Sequence, residues 1–103
     1  MEDPNQCTTM AELRAVIDRL DADLIQLLRQ RSDCIDRAIV LKQAEDLPAR
    51  IPSRVEEVVA KVRAHAVATG LDPALAEMLW RSMIEWSIAR EEVVLGSDTK
   101  VDE

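Results

Sequence analysis

The chain has 103 residues, 13 Lys and Arg against 20 Asp and Glu, and a net charge of −7. That length supports a single domain over residues 1–103, and the acidic balance argues against nucleic acid or an anionic membrane as partner, because both call for a basic face. A hydrophobic content of 48%, with two Gly, four Pro and neither Tyr nor Phe, points to an all-α domain small enough to gain from burial in an oligomer. The start is polar and acidic, no apolar run has the length of a membrane span, and Cys7 and Cys34 are too few for a disulfide framework. These features predict a cytoplasmic chain with reduced thiols.

Residues 1–7 read as a loose lead-in, with Pro4 and Asn5 discouraging regular structure. Thr9 followed by Glu12 is a capping box, and it predicts a helix running without Pro or Gly to about Gln43. Leu13, Ile17, Leu20, Leu24, Leu28, Ile35 and Ala38 fall within roughly 40° of Leu24 when each residue turns the chain by about 100°. Arg31 and Lys42 lie on that same stripe, at roughly −20° and 0°, and Arg14 lies beside it at about 80°. A helix of about 35 residues is roughly 50 Å long, which exceeds the span of a compact domain with a radius of gyration of about 13 Å. An overshooting helix with an apolar stripe needs a partner chain, and we read it as one protomer of an intertwined homodimer. A break near Arg31–Ser32 is the alternative. Cys34, near the edge of the stripe, reads as a small buried hydrophobe rather than a reactive thiol.

Residues 44–53 carry Pro48 and Pro52 and form the one substantial loop. Ser53 with Glu56 is a second capping box, opening a helix to about Thr69 with the stripe Val55, Val58 or Val59, Val62 and Ala66. Gly70 closes it. Asp72 and Pro73 are an N-cap and an N1 proline for a third helix that runs to about Leu95 and stops at Gly96. Its apolar residues fall on two sides: Leu75, Leu79, Met83 and Trp86 on one, Trp80, Ile84, Ile88 and Leu95 on the other. Such a helix packs between two neighbours. The tail over 96–103 is polar and expected to fray.

Elimination narrows the chemistry. The one histidine, His65, leaves a catalytic triad or a His-rich metal site poorly supplied and reads as a surface or half-buried helix residue. The two glycines sit at helix ends, so no phosphate-cradling loop exists, and no CxxC or EF-hand pattern occurs. An enzyme built from this chain works without metal or other cofactor, by positioning and by fixed cations. A cation on an apolar stripe costs several kcal/mol unless paired, and the pair is either a protein carboxylate or a ligand carboxylate. Spacing leaves both open: a structural ion pair, or Arg14, Arg31, Lys42 and Arg54 converging on a small dianion. Glu91, one turn past Ser87, is either a salt-bridge partner for these cations or a carboxyl kept protonated by its surroundings.

The stretch LRAVIDRLDADLIQLLRQR, Lys42 eleven residues after Arg31, the loop arginine Arg54 and the segment WRSMIEWSIAREE together resemble the small all-helical chorismate mutases and their relative isochorismate-pyruvate lyase. The resemblance runs from Cys7 to about Val93. It implies three-helix protomers with one very long N-terminal helix, entwined as a homodimer with two equivalent sites. Carried over, Arg31, Lys42, Arg54, Ser87 and Glu91 line one site, and Arg14 reaches in from the other protomer. Arg14 and Arg31 then hold the carboxylates of the dianionic substrate, Lys42 donates to the ether oxygen that gains negative charge, and Arg54 closes the site from its loop.

Two positions depart from the mutase pattern. Many members carry glutamine where this chain has Glu91, and a glutamate donates to the ether oxygen only when protonated. Burial favours the protonated form and Lys42 disfavours it, so its state stays open. Val55 stands where typical mutases place a glutamate for the substrate's ring hydroxyl. The lyase also has a valine there, and PNQCTT resembles its N-terminus. Ser87, where the lyase has an aromatic residue, and the twelve-residue step from Lys42 to Arg54 agree with mutases. The expectation is a chorismate mutase serving aromatic amino-acid synthesis, with the lyase reaction and its salicylate product as the alternative. A non-catalytic helical dimerisation module is the third reading, and the four retained cations speak against it.

Overall fold

The computed structural model describes residues 3–97; the rest of the expected C-terminal tail, 98–103, lies outside the described residues. Among the described residues the chain is all helical, with α1 over Met10–Glu45, α2 over Pro52–Thr69 and α3 over Pro73–Leu95. It divides into two compact units, one ending at Cys34 and one beginning at Ile35, so that α1 contributes to both.

In the first unit the expected loose lead-in holds a single 3-10 turn, Pro4–Gln6, capped by the Asp3 carboxylate accepting from the Asn5 N–H. The capping box at the start of α1 forms with one arm displaced. The Glu12 N–H donates to Thr9 Oγ1 at 3.1 Å, while the Glu12 carboxylate accepts from the N–H of Thr8 at 2.9 Å rather than from Thr9. α1 spans 36 residues and buries Val16. Ile17, Leu20, Leu24 and Leu28 of the predicted stripe are exposed in the single chain, Leu24 at 56%. Cys34 is exposed as well, which corrects its assignment to the interior. At roughly 80° from the centre of the stripe it clears the apolar face.

The second unit is built on α2 and α3, with a core of Ala49, Val59, Ile84 and Ile88 flanked by Val55, Val58 and Leu95. α1 ends where Asp46 takes a left-handed φ of 57°, and the Leu47 N–H donates back to the carbonyl of Lys42 at 2.8 Å. α2 starts two residues earlier than its capping box suggests. Pro52 occupies the first helical position and Ile51 precedes it with no side-chain cap, so Ser53 lies inside the helix. Proline already lacks the N–H that a cap would satisfy, and its fixed φ suits a helix start. Gly70, at φ 82°, lets the chain leave α2 while the Leu71 N–H reaches the Ala66 carbonyl at 2.9 Å. Asp72 caps α3 through the Ala74 N–H at 2.9 Å, as its sequence predicts. Ion pairs then zip the two helices. Arg63 donates to Glu77 at 2.7 Å, and Arg81 bridges Glu77 at 2.7 Å and Glu56 at 3.1 Å. The Ile84 and Ile88 face of α3 is buried, whereas Leu75, Leu79 and Trp86 on the other face are exposed in the single chain. No described helix is long and apolar enough to cross a membrane.

Candidate active site

The second unit gathers its buried charge around one ammonium group. Lys42, in the last turn of α1, donates from Nζ to Glu91 Oε1 at 2.7 Å and to the carbonyl oxygen of Ala49 at 2.8 Å. The side chains are 19% and 5% exposed, so this is a desolvated ion pair. A buried pair is tolerated when hydrogen bonds satisfy its remaining polar atoms. Among the described residues no buried side-chain nitrogen or oxygen lacks a partner. The second acceptor is held as firmly as the first: Ala49 is 2% exposed and part of the core, so the carbonyl is fixed by packing. Helix, loop and helix therefore converge on one nitrogen.

Ser87 and Glu91 share a face of α3 one turn apart, both buried, next to Ile84 and Ile88. Ser87 Oγ donates to the Met83 carbonyl at 2.9 Å, a back-bond typical of a helical serine. Two exposed ion pairs brace the same region. Arg90 grips Asp36 of α1 with two bonds, at 2.6 and 3.1 Å, and lies 5.6 Å from the centre of the Trp86 ring. Arg50 grips Glu85 of α3 with two bonds, at 2.9 and 2.6 Å.

Of the residues the sequence nominates, the structure brings Lys42 and Glu91 into contact, with Ser87 beside Glu91. Arg54, expected on the loop, lies instead in the first turn of α2, because Pro52 already starts that helix. Its side chain is 58% exposed, and its guanidinium donates to Glu57 at 2.6 Å. Arg14 is exposed and Arg31 half-buried, both in the first unit. His65 is exposed on α2, as expected. Ala49, Arg50 and Glu85 escape sequence reasoning. A backbone acceptor has no side-chain signature, and Arg50 and Glu85 are 35 residues apart. Among the described residues no three His, Cys, Asp or Glu side chains gather as metal ligands would.

Residues 13–92 match the family profile of chorismate mutase type II. The chain belongs to that family. The matched segment contains Arg14, Arg31, Lys42, Arg54, Ser87 and Glu91. Among curated proteins the chain is similar to the isochorismate pyruvate lyase of Pseudomonas aeruginosa, at 36% identity over 92 residues, 88% of this chain and 89% of that protein. It is similar to the 4-amino-4-deoxychorismate mutase of Streptomyces pristinaespiralis at 31% over 85 residues, 82% of this chain and 66% of that protein. A shorter match, 34% over 53 residues, covers 52% of this chain and 15% of the bifunctional chorismate mutase/prephenate dehydratase of Aquifex aeolicus. Within the family, then, relatives of this chain carry the names of both lyases and mutases.

Proposed function

We propose that the chain is a chorismate mutase, rearranging chorismate to prephenate by conformational restraint and electrostatic stabilisation. The observation that carries this reading is the state of Lys42. An ammonium has three protons, and Glu91 and Ala49 engage two of them. The third is left to a ligand, on a group already desolvated and aimed by two fixed acceptors. A donor of that kind stabilises an oxygen that gains negative charge as its C–O bond breaks, and needs no reorganisation when it does so. Arg14, Arg31 and Arg54 supply the cations for two carboxylates and restrain the reactive conformer. Arg54 gives up Glu57 to join them, and Arg14 comes from a second copy. That copy covers the exposed Ile17, Leu20, Leu24 and Leu28 in a homodimer. The buried Ser87, as in mutases, supports the rearrangement over cleavage.

A second reading, isochorismate-pyruvate lyase, is favoured by one specific pair of facts: the lyase relative matches along 89% of its length, and Val55 follows Arg54. Both reactions are pericyclic and use the same cations, so one assay separates them. The purified protein is given chorismate and isochorismate in turn, with prephenate followed in the first case and pyruvate plus salicylate in the second. Prephenate as the dominant product is the expected result. Dominant salicylate and pyruvate assign the lyase reaction, and silence on both substrates returns the chain to a non-catalytic helical module.

A further inference from the structure

Two charged side chains outside the Lys42 cluster occupy a place in the chain where they act on it. Arg50 immediately follows Ala49, so the Ala49 carbonyl that accepts from Lys42 belongs to the peptide unit joining these two residues. One end of that unit is anchored by the Ala49 methyl in the core, and the other by the Arg50 guanidinium on Glu85. Glu85 and Glu91 lie on the same helix, roughly 9 Å apart along its axis at 1.5 Å per residue. α3 thereby holds Lys42 twice, directly through Glu91 and indirectly through Glu85, Arg50 and the loop carbonyl.

We propose that Arg50 and Glu85 are positioning residues: their two-bond clasp registers the loop against α3 and sets the direction of the Lys42 proton offered to the substrate. The inference rests on the role given to Lys42 above. Both ends of the clasp are open to solvent, at 38% and 58% side-chain exposure, and an ion pair so exposed adds little to stability. Its planar, two-bond geometry specifies orientation instead. Arg50 also holds the Glu85 carboxyl below the usual carboxylate range, so the clasp stays charged at neutral pH. An effect exerted on a donor that strengthens its bond only in the transition state falls on kcat and spares KM.

The test uses Arg50→Gln, Glu85→Gln and the charge-exchanged pair Arg50→Glu with Glu85→Arg, with Arg63→Gln as a control that cuts an ion pair between α2 and α3. Two quantities are read: kcat and KM on whichever substrate the wild type consumes, and solvent exchange of the Lys42 ammonium protons by NMR on nitrogen-labelled protein. Each single variant is expected to lower kcat on the order of tenfold with KM within about twofold, and to speed ammonium exchange at an unchanged melting temperature. The exchanged pair recovers both, and Arg63→Gln moves neither. Unchanged ammonium exchange in Arg50→Gln and Glu85→Gln overturns the proposal whatever the rates do. Faster exchange with wild-type kcat overturns it as well. Should the wild type consume neither substrate, the functional reading fails by itself, and the exchange measurement still decides whether the clasp positions Lys42.

Discussion

Replacing Lys42 by Met leaves the buried Glu91 carboxylate with its cation gone. Breaking one side of a desolvated pair costs about 3 kcal/mol, read as a lower denaturant midpoint. Turnover should fall by at least about a hundredfold, the usual loss when a preorganised donor is removed. Adding Glu91→Met to Lys42→Met separates the two effects: stability returns and activity does not. Recovery of activity in the double variant contradicts the donor role. Glu91 itself makes a second prediction. In the unliganded chain its carboxylate accepts from Lys42. In Glu91→Gln the amide oxygen still accepts from Lys42 while the amide N–H adds a donor for the substrate's ether oxygen, so turnover should rise. A fall in turnover shows that Glu91 serves Lys42 through its charge.

Helix ends and helix faces explain how this site is held. Gly70 closes α2 at φ 82°, and a methyl group there meets nothing within 4 Å. Gly70→Ala is therefore a pure backbone test and should cost about 1 kcal/mol in chemical denaturation. The zip between α2 and α3 predicts a pH effect. Arg81 holds the carboxyls of Glu56 and Glu77 below their ordinary value of 4.5, with Arg63 assisting at Glu77. Carboxyls lowered in the folded state add stability above that value and lose it as pH falls below it. The wild-type melting temperature should thus drop more steeply below about pH 4.5 than that of Arg81→Gln, and added salt should shrink the difference. Equal slopes show that the zip contributes nothing. The same scale explains what was legible from sequence. Asp72–Pro73 and Gly70 announce their helix ends because a cap, an N1 proline and a left-handed glycine act within a few residues. Ser53–Glu56 misleads because Pro52 claims the helix start first. Cys34 misleads because its position at the stripe edge leaves it clear of the apolar face. Lys42 and Glu91 stand out as charges on apolar faces, whereas their meeting across 49 residues follows only once α1 and α3 pack.

For the whole molecule the decisive quantity is apolar surface left open by a single chain. Leu20, Leu24, Leu28, Leu75, Leu79 and Trp86 are all exposed, on the two helices whose patterns ask for further neighbours. A homodimer predicts a melting temperature that rises with protein concentration. Leu24→Lys places a charge in the centre of the α1 stripe and should yield a monomer by sedimentation, with a lower melting temperature independent of concentration. A dimeric Leu24→Lys variant refutes the α1 stripe as the seam. Because each site draws Arg14 from the second copy in this reading, the monomer should also lose activity.

Val55 gives the fold a say in which substrates a descendant of this chain is able to adopt. Its side chain packs against the Ala49, Val59, Ile84 and Ile88 core. In the mutase reading a glutamate there would supply an acceptor for the substrate's ring hydroxyl, but it would also drive a carboxylate toward that core, at about 2 kcal/mol without a compensating partner. A lineage gaining this contact starts from a loss of foldedness, and crosses it only after a stabilising change elsewhere has widened its margin. Selection on specificity at position 55 is selection on thermostability too, and the order in which mutations arrive decides whether the path is open.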